Sequence, residues 1–192
     1  IAAILTVTMA QPKQGMLSPE GLSRCGCFRC VDIGIPGDFV DEAEGWRAEA
    51  LFAQDVRALV TRRPRECHKG CFGHVLIAAG SRRYTGAPFL AADGAARSGA
   101  GLVTVAVPAG CAPVCRVRAS HILCTIPSDG DGWFGPASVA ALTDLAPRFS
   151  ALVYGPGIGP ESAGLAALEA ILSANTPLVL DADGLRRLAE RP

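Results

Sequence analysis

The sequence has no net charge and few charged residues. Lysine plus arginine number 18, aspartate plus glutamate number 18, and charged residues make up 19% of the chain. Proteins that attract nucleic acid or an anionic membrane through their overall field carry an excess of basic residues. The balance excludes both kinds of partner. The low charged fraction indicates a surface covered by a second copy or by more of the same domain.

Membrane-targeting features are also missing. The first ten residues are mostly apolar, but no cationic residue precedes them, and Gln11, Pro12 and Lys13 follow at once. A signal peptide needs a charged start, and a membrane span needs about 20 apolar residues. The cytoplasm is therefore the expected compartment.

Cysteine is abundant, with 8 residues, yet the spacing of a zinc site is missing. Only Cys27 and Cys30 have the spacing of a zinc knuckle, and no second pair completes it. Disulfide frameworks are typical of small secreted chains. We therefore expect unpaired thiols that pack as small hydrophobes, and no metal site. A thiol- or zinc-binding module built on Cys25, Cys27 and Cys30 is the alternative.

The front of the chain and its remainder differ in pattern. Strands are predicted at residues 5–9 and 28–33, and a helix at 41–61 that ends before Arg62-Arg63-Pro64. Further on, continuous apolar runs predict buried strands, with helices between them. These strands cover residues 75–79, 102–107, 152–154 and 178–180, and the helices cover 88–97, 165–172 and 185–189. The alternation predicts a doubly wound α/β sheet.

Ligands of such sheets bind beyond the carboxyl ends of the strands, where three loops stand out. In the first, Gly80 and Gly86 allow close backbone approach, and Pro88 suits a first helical turn whose N–H groups face an anion. A plain surface turn with two arginines explains that loop equally well. The second, 155–159, is Gly-Pro-Gly-Ile-Gly, which matches neither a dinucleotide fingerprint nor a Walker loop.

The third loop carries Asp181 and Asp183. Two carboxylates at a strand end can hold a cation or orient a hydroxyl, or they can cap the next helix. We favour capping for Asp183 and leave Asp181 open. The segment His68-Lys69-Gly70 is interpreted as a solvated turn.

Taken together, five ordered segments resemble the ADP/ATP-dependent NAD(P)H-hydrate dehydratase family. They are HKGCFGHVLIAAGS at 68–81, YTGAP at 84–88, RSGAGLVT at 97–104, GPGIG at 155–159 and LDAD at 180–183. The resemblance implies a ribokinase-like α/β fold. It also implies removal of the C6 hydroxyl from hydrated NADH or NADPH, with ADP or ATP and Mg²⁺ as cofactors.

Residues 6–16 and 31–36 resemble the last strands of the NAD(P)H-hydrate epimerase domain, which is Rossmann-like and precedes the dehydratase in bifunctional members. The implied domains are an epimerase remnant at 1–37, a linker and helix at 38–65, and the N-terminal half of the dehydratase at 66–192. By motif, Ala87 and Gly157 are expected to contact the hydrated nicotinamide nucleotide. Gly86, Gly155 and Asp181 are second candidates.

The chain departs from the family after the Asp-Ala-Asp segment. The family's His-Pro-Gly-Glu and Lys-Gly segments, and its Gly-Thr-Gly-Asp loop with the catalytic aspartate, are not found up to Pro192. We therefore expect no catalytic residue within this chain, a truncation at both ends, and no activity of the chain alone. The alternatives are a ribokinase-like small-molecule kinase and a fragment that acts only by association. The family also implies a homo-oligomer.

Overall fold

A computed structural model describes residues 2–36, 51, 53–60, 62–130, 132–159 and 164–191. The chain divides into two compact units, Ile1–Arg62 and Arg63–Pro192. No helix of the described ranges is both long and apolar enough to span a membrane.

The first unit is built on two parallel strands, β1 (Leu5–Met9) and β2 (Cys27–Val31), which pair in register. Between them lie α1 (Gln14–Leu17) and α2 (Pro19–Cys25), and α3 (Ala53–Leu59) follows. The Ser18 hydroxyl caps α2 by accepting the Gly21 N–H. The strand predicted at 5–9 is confirmed, and the one predicted at 28–33 begins and ends earlier. Of the predicted helix, residues 41–50, 52 and 61 lie outside the described residues.

The second unit contains a five-stranded parallel sheet with the order β5-β4-β3-β6-β7. Its elements are β3 (His74–Ala78), α4 (Ala87–Ser98), β4 (Leu102–Pro108), α5 (Ala112–Arg118), β5 (Ile122–Ile126), α6 (Val139–Leu145), β6 (Ala151–Tyr154), α7 (Gly164–Leu172), β7 (Leu178–Leu180) and α8 (Asp183–Ala189). The chain winds outward from β3 through β4 to β5, and then returns to place β6 on the other side of β3. The predicted doubly wound sheet is confirmed.

The continuous apolar run in β3 exists because helices cover both faces of the sheet. Leu76 and Ala78 are fully buried in one core cluster, together with residues of α6 and α7. Ile77 and Ala79 are fully buried in a second cluster, together with residues of α4. A strand buried on both faces has no need for alternating polar positions.

All eight cysteines belong to the described part of the chain, and all are free thiols. The expectation of small buried hydrophobes holds for Cys111 and Cys115, each 1% exposed, and burial raises the pKa of the Cys111 thiol to about 12. It is wrong for the exposed Cys27, Cys30 and Cys71. Across the described ranges, no three potential metal ligands of the histidine, cysteine and carboxylate types converge.

His74 ties the amino ends of three strands together. Its Nε2 lies 2.7 Å from the Thr104 hydroxyl, and its ring centroid lies 4.4 Å from that of Phe149. Its backbone N–H donates to the Ser150 hydroxyl, and the Ser150 N–H donates back to its carbonyl oxygen. Burial of the ring lowers its pKa below the ordinary 6.5.

Because the folded chain favours neutral His74, the unfolded chain takes up the proton first as the pH falls. The contribution of neutral His74 to the free energy of unfolding is therefore fully present above pH 6.5 and is lost as the pH falls below that value. We expect His74→Gln to flatten the fall in unfolding free energy between about pH 7 and about pH 5. Urea unfolding at several pH values measures this slope. Equal slopes in parent and His74→Gln would contradict the prediction.

Candidate functional site

The winding direction of the sheet changes between β3 and β6, and the region beyond the carboxyl ends of these two strands is called the crevice below. The chain leaves β3 toward β4 on one side and leaves β6 toward β7 on the other, so the two loops diverge beyond neighbouring strands. In doubly wound sheets this is the position at which ligands bind. The loop after β3 covers residues 79–86, and the loop after β6 begins at Gly155.

Two hydrogen bonds fasten these loops to each other. The Gly80 N–H donates to the Pro156 carbonyl oxygen at 2.8 Å, and the Ser81 hydroxyl donates to the Gly157 carbonyl oxygen at 2.7 Å. Ser81 is fully buried, so water does not compete for its bond. The relative position of the two loops is therefore fixed before any ligand arrives.

Ala87 and Gly157, the two positions expected to contact the substrate, lie against each other. Gly157 has a φ of +68°, and a Cβ built on it would lie 2.9 Å from the Ala87 Cβ and 2.7 Å from the Tyr84 Cβ. Only glycine fits this approach without displacing a neighbour. The structure thus brings together residues that are 70 positions apart, as their numbers show.

Gly86 directly precedes Ala87 and has open space where a side chain would be. It has right-handed helical backbone angles, and a Cβ built on it would meet no atom within 4 Å. The helix α4 starts at the next residue, with Pro88 in its first turn and no side-chain cap at Gly86. The predicted helix start at this loop is confirmed.

Gly155 and Asp181 meet through their backbones. Gly155 has a φ of +122°, and a Cβ built on it would overlap the Asp181 carbonyl oxygen and lie 2.7 Å from the Gly184 nitrogen. The Asp181 side chain is exposed. Gly155 thus allows the loops after β6 and β7 to contact each other. The carboxylate of Asp181 is exposed directly after the carboxyl end of β7.

Asp183 corrects one sequence interpretation. We favoured it as the cap of the last helix, but the N-cap of α8 is Ala182, which makes no side-chain cap bond. The Asp183 Oδ2 instead accepts the Gly159 N–H at 3.1 Å, and its Oδ1 lies 3.7 Å from the Arg186 Nη1. Its carboxylate therefore anchors the glycine-rich loop after β6 to α8.

A third loop, which sequence reasoning missed, reaches the crevice from β5. The Gly132 carbonyl oxygen accepts the Arg82 N–H at 3.3 Å. Within the same loop, Asp129 and Trp133 form an isolated antiparallel β-bridge. The Asp129 carboxylate accepts the Ala137 N–H at 2.9 Å, which holds the loop in shape. Because the contact to Arg82 is made by backbone atoms, no residue type in the sequence signals it.

Comparison with solved structures defines the fold class. A ribokinase-like superfamily protein of Enterococcus faecalis superimposes with a TM-score of 0.59 at 21% identity, covering 74% of this chain and 51% of that one. The chain thus has an α/β fold with a ribokinase-like structural neighbour. A family model described as NAD(P)H-hydrate dehydratase matches residues 75–192. The chain belongs to the NAD(P)H-hydrate dehydratase family.

Two further similarities agree with that family. The ADP/ATP-dependent NAD(P)H-hydrate dehydratase of Bacillus subtilis, crystallised with ATP and Mg²⁺, has a TM-score of 0.55 and 30% identity, over 69% of this chain and 45% of its own. A bifunctional NAD(P)H-hydrate repair enzyme of Coxiella burnetii is 35% identical over 100% of this chain. This chain spans 37% of that enzyme's length and 36% of that of its counterpart in Salinibacter ruber.

Proposed function

We propose that this chain supplies the substrate-binding half of a nucleotide-dependent NAD(P)H-hydrate dehydratase, which restores hydrated NADH or NADPH. The observation that carries the proposal is the contact between Ala87 and Gly157 in the crevice at the winding change. A glycine-lined surface next to a helix N-terminus suits a flat ring joined to phosphates, since backbone N–H groups attract the anion.

Each described residue of the crevice has a defined part in binding. At Gly157 no side chain separates the backbone from the approaching ring. At Gly86 the missing side chain leaves space for the ligand at the start of α4. Ser81 holds the two loops at a fixed separation through the Gly157 carbonyl. The exposed Asp181 carboxylate is available to a hydroxyl of the substrate. Fixed geometry of this kind lowers the entropy lost when the substrate is positioned.

The phosphoryl donor is proposed to be ADP or ATP, which phosphorylates the C6 hydroxyl so that phosphate leaves as the dihydropyridine ring is restored. Mg²⁺ is proposed only as an ion bound to the phosphates of that nucleotide. Mg²⁺ of this kind is usually bound by one or two carboxylates together with water and the phosphates of the nucleotide. The catalytic aspartate stays a prediction for a segment following Pro192.

The first unit is proposed to be the end of an epimerase domain, at residues 1–37, joined by residues 38–65 to the dehydratase part at 66–192. Two features support this: the parallel pairing of β1 with β2, and the alignment of the Coxiella burnetii bifunctional enzyme with the whole chain. A cytoplasmic homo-oligomer is part of the same proposal.

The function is tested by following the absorbance of restored NADH from enzymatically hydrated NADH, with ADP and ATP supplied separately. The assay compares this chain with a version extended to the natural stop codon. Activity in the extended version alone supports both the dehydratase and the missing catalytic segment. Activity in this chain, whether or not the extended version is active, contradicts the expectation that the catalytic segment is missing. Activity in neither version contradicts the dehydratase function.

Gly86 offers a test of ligand contact that leaves folding intact. Alanine readily adopts its backbone angles and would meet no atom within 4 Å, so we expect Gly86→Ala to change the free energy of unfolding by no more than about 1 kcal/mol. The added methyl group occupies ligand space, so in the version extended to the natural stop codon kcat/KM for hydrated NADH is expected to fall about tenfold. Gly94→Ala, equally open but within α4, is the control. An unchanged kcat/KM in Gly86→Ala would place Gly86 outside the ligand contact.

A further inference from the structure

We propose that Arg83 binds a phosphate group of the dinucleotide substrate and thereby sets the affinity for it. The inference rests on the proposed function and extends it to a residue outside the five positions carried over from the family. Its starting point is the turn that follows β3, in which two arginines stand side by side with exposed side chains.

The turn is clamped to the crevice at both ends. The Tyr84 N–H donates to the Ser81 carbonyl oxygen at 3.0 Å, which makes Ser81 to Tyr84 a β-turn with Arg82 and Arg83 at its two central positions. The Ser81 hydroxyl binds the Gly157 carbonyl oxygen, and the Tyr84 Cβ lies against the Gly157 backbone. The tip of the turn is therefore held next to the surface on which the ring is proposed to lie.

The two arginines differ in how the protein uses them. The Arg82 N–H donates to the Gly132 carbonyl oxygen, which ties that residue to the loop after β5. For Arg83, no ion pair is formed with any residue that the structure describes.

Several other arginines of the second unit are engaged, whereas Arg65, Arg97, Arg116 and Arg118 form no ion pair with a described residue and lie on other elements. Arg63 donates to the Gly99 carbonyl oxygen, and Arg148, Arg187 and Arg191 pair with carboxylates. On the far side of the crevice, Arg186 faces Asp183. Arg83 therefore leaves an exposed, uncompensated guanidinium on the turn that is fastened to the loop after β6.

The substrate of the proposed function supplies the complementary charge. Hydrated NADH and hydrated NADPH both contain a diphosphate bridge, and the second also carries a 2′-phosphate on its ribose. A guanidinium binds phosphate oxygens through two parallel N–H bonds, which an ammonium cannot reproduce. A phosphate on Arg83 would also bring the rest of the substrate within reach of Ala87 and Gly157, because the turn is fixed to both loops.

The test uses Arg83→Gln in the full natural protein, with kcat/KM measured for hydrated NADH and for hydrated NADPH at a saturating phosphoryl donor. Arg118→Gln is the matched control, because Arg118 is exposed at the end of α5 and its loss changes the net charge equally. We expect Arg83→Gln to lower kcat/KM about tenfold, mainly by raising KM, and Arg118→Gln to leave it unchanged. Arg83→Lys is expected to recover only part of the loss.

The two substrates distinguish the phosphate groups. A loss on both substrates assigns Arg83 to the diphosphate bridge, and a loss on hydrated NADPH alone assigns it to the 2′-phosphate. An unchanged kcat/KM on both, or an equal loss in Arg118→Gln, would overturn the inference while leaving the dehydratase function in place. Lack of activity in the unsubstituted protein would overturn the proposed function and this inference together.

Discussion

Gly157→Ala is expected to lower kcat/KM for hydrated NADH about 100-fold in the full natural protein, the largest loss of activity from any single methyl group in the crevice. The new Cβ would lie 2.7 Å from the Tyr84 Cβ and 2.9 Å from the Ala87 Cβ, so one of the two loops has to move. The backbone at a φ of +68° adds strain of about 1–2 kcal/mol for any residue other than glycine. Both effects act on the surface against which the substrate is proposed to lie.

The control for this substitution separates strain from contact. Gly34 has a similar φ of +77°, and a Cβ built there meets no atom within 4 Å. Gly34→Ala is therefore expected to carry the same backbone strain and to retain full activity. Steady-state kinetics of both variants, measured as kcat/KM for hydrated NADH, separate the effect of backbone strain from that of the contact. Parent-like kcat/KM in Gly157→Ala would show that the contact with Ala87 does not shape the substrate site.

Gly155→Ala is expected to destabilise the second unit by about 3 kcal/mol, from backbone strain and overpacking together. Its Cβ would overlap the Asp181 carbonyl oxygen and approach the Gly184 nitrogen to 2.7 Å and its Cα to 2.8 Å. All of these are backbone atoms, so no side chain can rotate out of the way. The loop after β6 and the start of α8 have to separate to admit one methyl group.

Urea unfolding measures the loss directly as a shift of the midpoint at constant slope. Gly130→Ala is the matched variant, because Gly130 also has a positive φ, +50°, while a Cβ there meets nothing within 4 Å. It is expected to lose only about 1 kcal/mol through backbone strain. Equal midpoints for Gly155→Ala and Gly130→Ala would mean that the packing against Asp181 contributes nothing.

The parts of the fold that the sequence predicted share one physical feature. Strands β3, β4, β6 and β7 and helix α4 have continuous apolar runs or glycine and proline at their ends, and these local signals were sufficient. No element was predicted between residues 109 and 150. There β5 is an edge strand whose Ile122 is 51% exposed, so its sequence needs no continuous apolar run of the kind that marks a central strand.

The candidate site was predictable only in part, because its geometry depends on contacts between distant residues. Glycine at 155 and 157 signalled a close approach, but nothing local indicated that Ala87 would be the partner of Gly157. The prediction for Asp183 was wrong because a carboxylate next to the start of a helix usually caps that helix, whereas here the Gly159 N–H donates to the Asp183 carboxylate. The family resemblance predicted that Ala87 and Gly157 contact one ligand, which periodicity alone did not.

The hydrogen bond between Ser81 and Gly157 also constrains the order in which the molecule assembles. It joins residues 76 positions apart, so forming it closes a long loop at an entropic cost that grows with loop length. Strands β4 and β5 both lie within that loop and on the opposite side of β3 from β6. A chain in which β3, β4 and β5 have already paired still has no crevice until β6 joins them. Ligand binding therefore reports that β6 has joined the sheet, and a ligand present during refolding stabilises only chains that have reached that stage.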